Sequence, residues 1–214
     1  MQLSVHILEH NREPLAEPPT RPVGRSLAHL AETLIRNGTR MPPTVAFGLG
    51  SQFLRRLAAL PDSDARPLEI RLHTLELNSH GDVRFYEGGC QRHPERRQEY
   101  AAPECLMGSN YGVSAEVYAT SATVLELISG RPLGRSPMLR VPHHQAVEDA
   151  LAHARVFLPP LAAGAFLNIF RRGLAHDPSD RPRPREMAAM LDLLLVGLQG
   201  PTLTQFAADH LRPA

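Results

Sequence analysis

Apolar positions recur at helical spacing through most of the chain. Leu27, Leu30, Leu34 and Ile35 mark one face of a helix opened by Gly24-Arg25-Ser26-Leu27, running to about Arg36 and ended by Asn37-Gly38. Pro42-Pro43 opens the next, to Leu60, with Val45, Phe47, Phe53, Leu54 and Leu57 inward. Gly48 and Gly50 fall inside this pattern, where small residues let helices approach closely, so they do not read as a phosphate loop. The periodicity then changes. Leu72–Leu77 and Val83–Tyr86 read as two short strands around Asn78-Ser79-His80-Gly81, a turn signal.

The second half is helical again. Val117, Tyr118, Ser121, Val124, Leu125 and Ile128 share a face of a helix with few charges, predicted to be buried nearly all round. Ser114 is its expected N-cap, and Ser129-Gly130-Arg131-Pro132 is its stop. Helices follow over Gln145–Phe157, Leu161–Leu174 and Pro184–Leu198, the last docked through Leu191, Leu193, Leu194 and Leu195. A short terminal helix lies within Thr202–Leu211, packing through Phe206 and Leu211. Near the N-terminus Leu3–Leu8 alternates as a strand would, and Asn11–Val23, with Pro14, Pro18, Pro19 and Pro22, reads as a loop.

Composition narrows the classes. At 214 residues this is one domain, or one with a small appendage. A net charge of +1 makes no electrostatic case for nucleic acid or an anionic membrane. Cys90 and Cys105 match no zinc spacing and suit a reduced, cytoplasmic protein. His143-His144 point different ways on a helix and do not make a metal site. All 23 basic residues are arginine, a bias expected of Arg-rich bacterial coding.

Two motifs carry a resemblance. Tyr100-Ala101-Ala102-Pro103-Glu104, followed by Val117-Tyr118-Ala119 and by Leu125-Glu126-Leu127-Ile128-Ser129-Gly130-Arg131-Pro132, resembles the A-P-E motif and the central helix of a Ser/Thr protein kinase. Leu174-Ala175-His176-Asp177-Pro178-Ser179-Asp180-Arg181-Pro182 is similar to a second large-lobe motif, whose Arg pairs with the A-P-E Glu. The resemblance implies a mainly helical, kinase-like large lobe over residues 24–198, with one or two short strands. Residues 1–23 would be a residual hinge strand and Pro-rich loop, residues 199–214 a helical extension, and the small lobe largely absent. It implies a buried Glu104–Arg181 pair, and places Glu116 where kinases brace the catalytic loop.

It also implies loss of catalysis. Aligned on Gly81, the H-R-D triplet falls on Pro67-Leu68-Glu69, the following Lys on Arg71, the metal-binding Asn on Thr74 and D-F-G on Glu87-Gly88-Gly89. Glu69 is a methylene too long for the base, and a misplacement of ~1 Å can cost on the order of 100-fold. Thr74 offers a hydroxyl where an amide ligates Mg²⁺, and no lysine exists to meet the nucleotide phosphates. The expectation is a pseudokinase-like regulatory or scaffold module with no cofactor or metal, binding a protein such as a kinase or a second copy of itself. Arg92, Arg96 and Arg97, and the helix after His144, are its candidate faces. Two alternatives stand: an atypical kinase using ATP and Mg²⁺ through Glu69 and Glu87, and a truncated kinase remnant.

Overall fold

The computed structural model describes residues 24–59, 70–85, 98–108 and 112–211. The strand predicted over Leu3–Leu8, the Pro-rich loop and the positions at Pro67, Leu68, Glu69, Glu87, Gly88, Gly89, Cys90, Arg92, Arg96 and Arg97 lie outside them. The chain is mainly helical, with one small antiparallel sheet.

Strand β1 (Gly24–Ser26) leads directly into α1 (Leu27–Arg36), and α2 (Pro43–Leu57) follows. A 3-10 turn over Leu72–Thr74 opens β2 (Leu75–Asn78), which turns back into β3 (Val83–Phe85). The short α3 (Pro103–Leu106) precedes the long α4 (Val113–Ser129). Then come α5 (Arg140–Ala154), α6 (Pro160–Gly173), α7 (Pro184–Val196) and α8 (Leu203–His210).

The core forms around α4, whose residues from Ala115 to Ser129 are all buried. Burying so polar a helix requires that its hydroxyls find acceptors. Thr120, Ser121 and Thr123 each donate to the carbonyl four residues back, at 2.7, 2.8 and 2.8 Å. The helix ends at Gly130, whose φ of +69° is a left-handed cap. Arg40 closes this end. Its Nη1 donates to the Ser129 carbonyl at 2.5 Å, placing a cation at the negative end of the helix dipole, and its guanidinium lies 4.3 Å from the Phe157 ring centre.

Helix α2 crosses α4 and packs most extensively against α7. A Cβ on Gly50 would lie 2.7 Å from Val124 Cγ2 and 3.0 Å from Leu191 Cδ1, so the three helices meet where no side chain fits. Phe47 joins Phe166 and Phe170 of α6 in a ring cluster, with centroids 6.2 and 6.0 Å away. The opposite face of α2 holds the hairpin. Gln52 accepts from Val83 N at 2.6 Å and donates to the Gly81 carbonyl at 3.2 Å, and Arg56 donates to the Val83 carbonyl.

The sheet corrects two readings. Gly24–Ser26 does not open a helix but pairs antiparallel with β2, Gly24 opposite Asn78 and Ser26 opposite Glu76. Three residues carry no periodicity, and their strand exists only because β2 supplies its partner. Leu72–Thr74 is a tight turn rather than strand, because the Thr74 hydroxyl closes it on Arg71.

Helix ends and faces also shift. The α4 N-cap is Gly112, not Ser114. Helix α5 begins at Arg140 rather than Gln145, since Pro142 falls in a first turn that needs no N–H there. Helix α7 ends at Val196, and its Leu193 faces outward, 73% exposed, while Leu191 and Leu194 are buried. Ile35, predicted inward, is 48% exposed and lines a surface cleft.

Gly50→Ala therefore overpacks the α2–α4–α7 junction. The expected loss is about 1–3 kcal/mol despite alanine's better helix propensity. Urea denaturation measures it, and an unchanged midpoint would contradict this packing.

Candidate functional site

Arg181 draws five hydrogen bonds into one place. It follows a 3-10 turn (Pro178–Asp180) whose start is held by the Asp177 carboxylate, which accepts from Ser179 N at 2.9 Å. Arg181 Nη1 and Nη2 donate to Glu104 Oε1 and Oε2 at 2.6 and 2.8 Å, a bidentate pair. The other three N–H groups reach the carbonyls of Ala175 at 2.8 Å, Ser114 at 3.1 Å and His176 at 3.2 Å. All five donors of the guanidinium are thus used. The Arg181 side chain is fully buried and that of Glu104 12% exposed. The structure brings together these two residues, 77 positions apart in sequence. Ser114, read as a cap, instead offers its carbonyl to this arginine.

Beside the pair lies Tyr118 of α4, its ring centre 5.0 Å from the Arg181 guanidinium. Burial pushes the Tyr118 phenol up to about 12. Its hydroxyl stands 3.3 Å from Nε2 of His143, on α5. The His143 ring meets that of His176 edge-on, centroids 5.2 Å apart. His176 Nε2–H donates to the Met138 carbonyl at 2.9 Å. His143 is buried, and desolvation, aided by His176, Arg181 and His144, lowers it to about 4. His144, one residue on, is exposed. The adjacent histidines do face different ways. Cys105, partly buried beside Glu104, is raised to about 11 by desolvation and then by that carboxylate, so its thiol stays protonated and unreactive.

The two described positions matched to catalytic residues, Arg71 and Thr74, are turned inward. Thr74 is fully buried; its Oγ1 donates to the Arg71 carbonyl at 3.0 Å and accepts from Arg71 N at 3.2 Å. Arg71 is among the largest fully buried side chains. Glu116 is buried in the first turn of α4, where the helix dipole favours a carboxylate. Tyr100, which precedes the Ala-Pro-Glu motif, is buried and donates through its hydroxyl to Glu126 of α4. Among the described residues, no group of three or more His, Cys, Asp or Glu side chains is placed to hold a metal ion. A cleft of about 230 Å³ opens between α1, the 72–74 turn and the end of α4, lined by Glu32, Ile35, Arg40, Leu72, Glu126 and Pro132.

The motif residues stood out in the sequence. The Tyr118–His143–His176 and Tyr100–Glu126 contacts did not, because each joins elements separated by 25 or more residues.

Comparison with known proteins agrees with this geometry. No protein-family model matches the chain. The PknI kinase domain of Mycobacterium tuberculosis superimposes with a TM-score of 0.57 at 19% identity, over 81% of this chain and 63% of that domain. A double mutant of the same domain gives 0.56 over the same shares. In sequence, the chain is 25% identical over 182 residues to the MAP kinase kinase MKK1/SSP32 of Saccharomyces cerevisiae, covering 77% of this chain and 35% of that protein. It is 31% identical over 81 residues to a probable serine/threonine-protein kinase of Dictyostelium discoideum, covering 38% of this chain and 15% of that one. The fold is protein-kinase-like. The chain spans about a third or less of the length of the curated relatives it matches.

Removing one partner of the central pair leaves the other charge buried. Arg181→Ala is expected to cost about 3–5 kcal/mol. The exposed Arg171–Glu148 pair, joined at 2.7 Å, is the control, and Arg171→Ala there should cost no more than about 1 kcal/mol. Chemical denaturation of both variants measures the contrast; equal losses would remove Arg181 from its central place.

Proposed function

We propose that the chain is a catalytically inactive, protein-kinase-like module that works by binding another protein. The observation that carries this reading is Thr74. At the position of the metal-ligating Asn, its hydroxyl is buried and spent on the backbone of Arg71, so it presents no oxygen to a nucleotide-bound cation. The absence of lysine from the 214 residues supports the same conclusion, since the recurring parts of phosphoryl transfer include a compact ammonium on the phosphates. Against this loss, the Glu104–Arg181 pair and the buried central helix are kept. These are the parts that hold a kinase-like surface in shape, rather than the parts that react.

The partner is a protein, either a kinase or a second copy of the chain. The faces offered are the arginine-rich segment with Arg92, Arg96 and Arg97, and the exposed side of α5 with His144. Membrane insertion has no support from the described residues, none of whose helices is long and apolar enough to cross a bilayer. The bacterial, cytoplasmic setting proposed for it follows from arginine-biased coding and reduced cysteines.

The kinase names of the sequence relatives favour a second reading, an atypical Ser/Thr kinase with Glu69 as base and Glu87 on Mg²⁺. Thermal unfolding with ATP, alone and with Mg²⁺ or Mn²⁺, separates the two. A ligand at ~100 times its dissociation constant adds ~2.7 kcal/mol to stability. The module reading expects no shift under any condition; a metal-dependent rise in Tm would favour the kinase. Charge reversal of Arg96 and Arg97 to Glu should weaken capture of a protein partner by at least tenfold. Unchanged capture would exclude that segment as the docking face.

A further inference from the structure

The cluster around His143 has three cationic or protonatable groups and little negative charge to balance them. His143 projects from α5 and is 2% exposed. Tyr118 faces it from α4, and His176 and Arg181 from the segment between α6 and α7. His144 is its neighbour on its own helix, and Glu104 of α3 is the carboxylate of the cluster. Both oxygens of Glu104 are already taken by Arg181. Asp177, the next carboxylate along the chain, is exposed and accepts from Ser179.

The same contacts are what hold the front of α5. His176 ties down the Met138 carbonyl, and His143 is the buried anchor of the first turns. Between them run Met138, Leu139 and Val141, which are 49, 72 and 79% exposed and therefore contribute little burial of their own. Deeper in the helix Val147 and Leu151 pack into the core.

We propose that His143 and His176 form an acid-released latch that keeps the Met138–Val141 segment and the first half of α5 docked on α4 only while His143 is neutral. Neutral His143 shares a hydrogen bond at Nε2 with the Tyr118 hydroxyl. A protonated ring can still donate to the hydroxyl oxygen, but it adds a buried cation to a cluster that already holds Arg181 and His176, with Glu104 committed to Arg181. Opening the front of α5 returns the ring to water. The sign follows. A histidine at about 4 when docked and at its ordinary 6.5 when released leaves docking at full strength above pH 6.5, and docking weakens as pH falls toward 4. Between pH 7.5 and pH 5 the docked-to-released ratio should fall about 30-fold. The latch does not depend on whether the chain transfers phosphate or on which partner it meets; it governs the shape of the α5 face itself.

Amide hydrogen exchange across this pH range, corrected for intrinsic rates, reads the latch in the intact chain. The amides of the first half of α5, from His143 to Val147, should lose protection about 30-fold, with those around Leu151 and those of α2 and α7 losing much less. His143→Gln, which cannot be protonated, should make α5 protection independent of pH. The proposal is overturned if wild-type α5 protection stays flat, if the loss spreads evenly over all helices, or if the variant still loses protection with acid. If His143→Gln does not fold, His176→Gln provides the test. Removing this neighbour, whose influence lowers His143, should move the loss of protection to higher pH, and a profile that is unmoved or moved to lower pH would count against the latch.

Discussion

One guanidinium, with its five donors shared among four residues, ties together three segments distant in sequence. Arg181 reaches α3 through Glu104, the first turn of α4 through Ser114, and its own approach segment through Ala175 and His176. A lysine could not do this, because three donors on a flexible stem cannot satisfy a bidentate carboxylate and three carbonyls together. Burying such a charge is tolerable only when every donor is met, and here every one is. The arrangement explains why α3, only four residues long, keeps a defined place against α4.

Around this anchor α4 acts as the shared wall of the fold. It is buried along nearly its whole length, which small side chains and back-bonded hydroxyls make possible. The close approach at Gly50 lets α2 sit against both α4 and α7, and α2 in turn positions the hairpin through Gln52 and Arg56. The 72–74 turn, where the kinase resemblance places the metal ligand, is therefore supported from beneath by the same packing that supports the core. Thr74 faces inward, and a threonine hydroxyl that closes its own turn contributes order instead of coordination.

The titratable groups divide along the same line. Cys105 and Tyr118, both raised by burial, stay protonated throughout the physiological range and behave as packing elements. His143 is lowered to about 4 by the same burial, so it too is held in its neutral form while docked. One physical cause acts on all three groups, and the sign of each charged form decides only the direction of the shift.

Much of this was legible in the chain alone. Helical periodicity located α1, α2, α4, α6, α7 and α8, and the resemblance carried by the Ala-Pro-Glu and His-Asp-Pro-Ser-Asp-Arg-Pro motifs implied that Glu104 and Arg181 are partners. Both signals are local patterns of residue type, and a sequence displays such patterns directly. Other features belonged to the tertiary structure. Strand β1 exists because β2 offers a hydrogen-bonding edge, and Leu193 points outward because α7 turns only one side to α2. The joining of Tyr118, His143 and His176 likewise depended on how α4, α5 and the segment after α6 pack. Residue type and spacing dictate which segments coil and where charges need partners; which distant side chains meet, and how far burial moves their protons, depends on contacts that form only when the helices close on one another.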